Sequence, residues 1–239
     1  PKLQISAKAK SWRIHDDIEK QIFDTDNYQQ IRSQILRRDK FTCQFCGFNS
    51  ASDSESPKKS LAYSGFLEVH HIDDDHSNNV PENLITACPF CHSVFHAGFS
   101  GHNDAGSIAL MPYMRQRDIS ILFNLLAVIK SSDESKYLDL VEDIEEFFEY
   151  FIGSAENVFE GLSDASKLGS ILVGVQIKDK NASKKMNNVL WALKLIPNIN
   201  SNAFKDAVAF WRTNGVWIPE AQWKSIFDNF SKINQKIKK

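Results

Sequence analysis

No stretch of this 239-residue chain is apolar for long enough to span a bilayer. Ile119 to Ile129 and Ser170 to Val175 come closest, and both are too short or too interrupted, so no membrane insertion is expected. The opening Pro1-Lys2-Leu3-Gln4 carries the expectation of no hydrophobic leader, and no internal repeat is seen. A surplus of positive charge is missing too. The net charge is −2 and the pI about 6.4, whereas dedicated nucleic-acid binders are often more basic. Cysteine is scarce, with four residues in all, and all four fall into one pattern. The expectation is a cytoplasmic protein in a reducing setting, stapled by metal rather than by disulfides.

That pattern is two Cys-x-x-Cys knuckles, Cys43/Cys46 and Cys88/Cys91. Brought together, they supply four thiolates for one tetrahedral structural Zn²⁺. Disulfides or inert buried thiols are the alternative, but a disulfide closing a two-residue gap is strained or redox-active. Five of the seven histidines lie between positions 70 and 96. A zinc saturated by sulfur has no use for them, so a second site is expected. His92 and His96 are four apart on a predicted helix and share a face, whereas His70 and His71 leave opposite faces of a predicted strand.

The remaining organisation follows from periodicity and punctuation. A helix is expected from Asp26, with Tyr28, Ile31 and Ile35 as its apolar stripe and Arg37, Arg38 and Lys40 crowding its end. A polar loop over 49–60, extended structure over Leu61–Ile72, an acidic Asn-rich loop, and a helix from Cys88 or Pro89 to Ala97 complete a zinc-containing module at 1–106. Gly98, Gly101 and Gly106 close it in a flexible stretch. Beyond it, 107–239 reads as an all-helical region. Its helices are expected at Arg117–Lys130, Lys136–Phe151, Ala182–Leu195, Asn202–Arg212 and Pro219–Lys236, with 168–177 undecided. Phe147, Phe148, Phe151, Trp191, Leu195, Phe210 and Trp211 are its expected core. Ten acids stand against one base over 131–161, while 162–239 holds 13 Lys/Arg against 5 Asp/Glu. Such runs are solvated faces or partner-binding faces. The fold class is therefore α+β.

Several blocks together resemble the HNH endonuclease family. They are Arg38-Asp39 before Cys43-x-x-Cys46-Gly47, Leu67-Glu68-Val69-His70-His71-Ile72-Asp73, Asn78-Asn79-x-Pro81-Glu82-Asn83-Leu84, and Cys88-x-x-Cys91-His92. The resemblance covers residues 37–96 and implies a zinc-braced ββα-metal fold. Carried over, it makes His71 the general base and Asn83 and His92 the other named catalytic residues. It makes His70, His92 and His96 ligands of a catalytic divalent ion, which could be Mg²⁺, Mn²⁺, Ni²⁺ or Zn²⁺. Arg37, Arg38 and Lys40 would then meet the phosphates of DNA.

A second resemblance reaches further. Ser11-Trp12-Arg13, Cys43 to Phe48, Gly106 to Pro112, and Leu193 to Pro197 followed by Phe210-Trp211 are similar to the IcmJ/DotN family of type IVB secretion coupling complexes. That likeness implies a zinc-binding adaptor that meets a protein partner through its helical C-terminal region. The expectation carried forward is a metal-dependent nuclease hydrolysing DNA phosphodiesters. The adaptor, without nuclease activity, is its alternative.

Overall fold

The computed structural model describes residues 2–7, 26–50, 65–132, 137–178, 186, 189–216, 218 and 220–237. Ser11-Trp12-Arg13, the polar loop over 51–60, the extended start at Leu61, Pro219 and the expected helix start at Ala182 lie outside the described residues.

Helix α1 (Asp26–Arg38) buries Tyr28 and Ile35 of the expected stripe together with Leu36, and Ile31 packs partly buried against the core. It packs against a two-stranded antiparallel sheet of β1 (Glu68–His71) and β2 (Leu84–Ala87), with Glu68 opposite Ala87 and His71 opposite Leu84. All four residues of β2 are buried, which is why its Leu-Ile-Thr-Ala run shows no polar alternation. Helix α2 (Pro89–Phe95) follows at once, with Cys88 as N-cap and Pro89 at its first turn, where a missing N–H costs nothing. The expected continuation to Ala97 breaks at His96 (φ −121°, ψ 48°), and α3 (Ala97–His102) restarts beyond it.

The expectation of an all-helical region after residue 106 needs correcting. Gly106–Leu110 is not a flexible close but strand β3, and it pairs antiparallel with β4 (Leu193–Pro197), Gly106 opposite Pro197 and Leu110 opposite Leu193. Leu193 to Pro197 is buried at every position. A short apolar run of that kind has no period of its own, and only the distant partner strand makes it extended. The fold is therefore a mixture of helices and two small sheets.

Around this second sheet lie α4 (Gln116–Ser131), α5 (Leu138–Val158), α6 (Ala165–Lys178), α7 (Asn202–Thr213) and α8 (Glu220–Ile237). α4 is apolar nearly all round and is buried centrally, against α2, α5, α7, α8 and β4. One contiguous apolar cluster runs from Ile35 and Leu36 through the cysteines to Trp211 and Phe230. Phe148, Phe151, Leu195 and Trp211 are buried in the core as expected, and Phe147 and Phe210 pack partly buried against it. Trp191 is the exception: it is 55% exposed, because it sits in the turn before β4 and not on a helix face. The acidic side of α5 faces solvent at Glu142, Asp143, Glu146 and Glu149, and Glu145 pairs with Lys130 at 2.8 Å.

α3 and α6 cross at glycine. A Cβ added to Gly169 would collide with the backbone Cα and N of Gly98. Gly169→Ala should therefore destabilise, although alanine is the better helix former by about 1 kcal/mol. Overpacking against rigid backbone typically costs about 1–3 kcal/mol, and a net loss of about 1 kcal/mol or more is expected in urea denaturation. An alanine variant as stable as the parent would show that the two helices separate freely.

Candidate metal centres and the histidine face

The first knuckle forms where the chain leaves α1. The N–H of Cys43 donates to the Phe48 carbonyl (2.8 Å) and that of Gly47 to the Cys43 carbonyl (2.8 Å), closing a turn in which Gly47 takes φ +84°. The second knuckle is the first turn of α2, where the N–H groups of Cys91 and His92 both donate to the Cys88 carbonyl (3.0 and 2.8 Å). The hairpin and α1 bring the two together. Asp39 holds this arrangement: it accepts the Thr86 N–H of β2 at 2.9 Å and two guanidinium bonds from Arg38 at 2.8 and 3.0 Å.

The result is four buried cysteines whose sulfurs lie within 4.8 Å of one another, close enough to bind a structural metal such as zinc. The Cys46 and Cys88 sulfurs are 3.7 Å apart. A tetrahedral ion with Zn–S bonds of about 2.3 Å sets its sulfurs about 3.8 Å apart, so the spacing fits zinc. Burial pushes the Cys88 and Cys91 thiols well up. Four adjacent buried sulfurs ionise together only around a cation. Asn124 of α4 donates from Nδ2 to the Cys88 sulfur at 3.6 Å while also holding the Ser120 carbonyl at 2.7 Å. Sequence reasoning missed it. The available signal was a lone amide inside the apolar run Ile119 to Ile129, where a polar group needs a buried partner.

A second cluster lies between β1 and the end of α2. His70, His92 and His96 place ring nitrogens within 4.8 Å of one another, and the Nε2 atoms of His92 and His96 are 3.2 Å apart. Two Zn–N bonds of about 2.0–2.1 Å at a tetrahedral angle separate nitrogens by about 3.3–3.4 Å, so three donors here suit one divalent ion. Glu68 stands behind His92, with Oε2 at 2.5 Å from Nδ1, the carboxylate–histidine pairing common behind ligands. Burial opposes the Glu68 charge, but the neighbouring His92 outweighs it and holds the carboxyl low. His70 is stacked on Phe95 with centroids 4.2 Å apart.

His71 does not join this trio. It leaves the opposite face of β1, where Nε2 meets Asn79 Oδ1 at 2.8 Å and the ring lies beside His76 and Tyr28. Burial, with a smaller contribution from His76, pushes its pKa below the usual imidazole range. Asn83 fixes the loop. Its amide donates to Asp73 Oδ1 (2.7 Å) and the Asn78 carbonyl (2.8 Å), and its oxygen accepts the Asp73 N–H (3.0 Å). Arg38 is engaged internally: beyond Asp39 it donates to the Pro81 and Leu84 carbonyls at 2.7 Å each, tying α1 to the hairpin.

No family model matches the chain. Among curated proteins, it is similar to the type 4 apparatus protein DotN of Legionella pneumophila subsp. pneumophila (strain Philadelphia 1). The two are 25% identical over 188 residues, spanning 77% of this chain and 79% of the relative. A match of that length cannot be confined to the cysteine–histidine segment and must run into the helices beyond residue 106.

This finding overturns the expectation of a DNA-cutting enzyme. The likeness extends well past the 37–96 motif, to a protein named for its place in a secretion apparatus. It fits the adaptor alternative, and it lends no support to a catalytic ion or a DNA partner. The physical reason is that a His-Asn-His spacing is also what a hairpin and helix need to lock themselves. Asn83 does so by bonding the loop, and the histidine trio by joining β1 to α2. No helix among the described residues is long and apolar enough to cross a membrane.

Proposed function

We propose that this protein is a zinc-braced adaptor of a type IV secretion apparatus, working through protein contacts and without nuclease activity. The observation that carries this reading is the similarity to DotN across 77% of the chain, helices included. The architecture supports it. Cys43, Cys46, Cys88 and Cys91 hold Zn²⁺ and weld the two knuckles into one rigid platform. His70, His92 and His96, oriented by Glu68, hold a second divalent ion that braces β1 against α2. The protein meets its partner through the helical half of the chain, where α5 exposes a strongly acidic face.

The test is genetic and biochemical. Deleting the gene in its own host should abolish translocation of a secreted reporter, and both the wild type and His71→Ala should restore it. Normal translocation without the protein overturns the reading. Failure of a folded, zinc-loaded His71→Ala would count against a purely binding role.

A further inference from the structure

A cleft of about 520 Å³, sharing no lining residue with the pocket at the histidines, opens between the N-terminal segment, the first knuckle, the start of α4 and the start of β4. Four cations line it, Lys2, Arg115, Arg117 and Lys194, and no acid is among the described residues that line it. Arg115 is engaged with neighbouring Asp118 (2.7 Å), but Lys2, Arg117 and Lys194 make no ion pair among the described residues. Lys194 is the unusual member. It is 5% exposed, in the middle of an apolar strand. Among the described residues, its ammonium donates to the backbone carbonyls of Trp191 and Leu193. An ammonium has three N–H donors, so one remains for the cleft. Burial pushes its pKa down to about 8, the mark of a buried charge without a counter-ion. α4 begins here too, and its N-cap Arg115 makes no side-chain cap, so the partial positive charge of the helix start adds to the same field. Phe45, Met114 and Leu193 supply an apolar floor. Trp191 stands 55% exposed on the wall, with Val189 63% exposed close by in the chain.

We propose that this cleft is the docking site for an acidic peptide segment of a partner protein, with carboxylates at Lys194, Arg117 and Lys2 and one apolar side chain on the floor beside Trp191. Large exposed apolar side chains beside cations are typical anchors of protein contacts, and tryptophan is enriched among them. The proposal rests on the adaptor reading and adds to the acidic α5 face a second contact, one that takes an acidic segment.

The test uses the full-length zinc-loaded protein and a short fluorescein-labelled peptide of Asp and Glu around one Phe. Binding by anisotropy is expected, weakening as salt rises. Lys194→Met and Arg117→Gln should each bind the acidic peptide about tenfold more weakly, because each removes one charge-assisted bond, and the same peptide with Asn and Gln in place of every acid should lose about a hundredfold or more, because it removes them all. Lys194→Met should keep the fold, since it replaces an uncompensated buried charge with a group of similar shape. If it does not fold, the exposed Arg117→Gln and Trp191→Ala decide. Equal binding of the acidic and amide peptides, or no loss in the variants, overturns the proposal. So does a single-stranded DNA oligonucleotide or ATP that binds more tightly and is lost in the same variants. No peptide binding together with lost translocation in the deletion strain removes the cleft and leaves the adaptor. Peptide binding with normal translocation does the reverse.

Discussion

Cys88→Ser is expected to leave a chain without cooperative unfolding and without its zinc. Protein purified without chelator should carry about one thiolate-bound zinc per molecule, and the variant close to none. The magnitude follows from comparing two energies. Structural zinc contributes roughly 10–16 kcal/mol in small thiolate sites, whereas a whole domain is stable by only about 5–15 kcal/mol. Cys88 is also more than a ligand. It stands at the N-cap position of α2, lies 3.7 Å from the Cys46 sulfur, and receives Asn124 from α4. Its loss should therefore be felt in the helical half as well as in the knuckles. Asn124→Leu gives the graded counterpart: outer partners of a metal ligand typically matter by about 10–100-fold in affinity, with the fold retained. The measurements are metal content together with thermal unfolding followed by circular dichroism. A serine variant that melts at the parental temperature would remove zinc as the staple.

Trp211→Ala should cost about 3–5 kcal/mol in urea denaturation, as large aromatic truncations in close-packed cores do. Trp211 is fully buried on α7, with its ring 4.7 Å from Phe48 and 6.2 Å from Phe90. Its indole N–H donates to the Gly65 carbonyl at 2.9 Å. Phe48 follows the first knuckle and Phe90 belongs to the second, so this one side chain from the C-terminal half fills the space between the thiolate elements. Trp211→Phe keeps most of the volume and loses the hydrogen bond, and about 1–2 kcal/mol is expected. If the alanine variant loses less than about 1 kcal/mol, or if unfolding splits into separate transitions for the two halves, the shared core does not govern stability.

The step from motif to function is instructive at the level of single residues. His70, His71, Asn83 and His92 occur at the spacing of a nuclease motif, and the hairpin and helix that carry them are present. Spacing specifies which groups come close, not what they do once there. Asn83 spends its amide on Asp73 and Asn78, Arg38 spends its guanidinium on Asp39 and two carbonyls, and His71 turns to Asn79. These hydrogen bonds are short-range choices of side-chain direction, and a linear motif leaves them open. Glu68 stood inside the quoted motif without a role until β1 placed it behind His92.

What the sequence determined by itself were the features whose partners are near in the chain or whose chemistry admits one partner type. The cysteines had to meet one another, because buried thiolates at x-x spacing have few other stable ends. α1, α4, α5, α7 and α8 were readable because each carries its apolar stripe within its own turns. Only the tertiary structure decided the rest. Leu193 to Pro197 became a strand because Gly106 to Leu110 lay beside it, and that displaced Trp191 from an expected core into solvent. Asn124 found Cys88 across the α4 packing, and Lys194 came to lie buried in a cleft made of four distant segments. Contacts between residues so far apart cost chain entropy that no local pattern records. They form because the apolar surface buried by the whole molecule outweighs that cost.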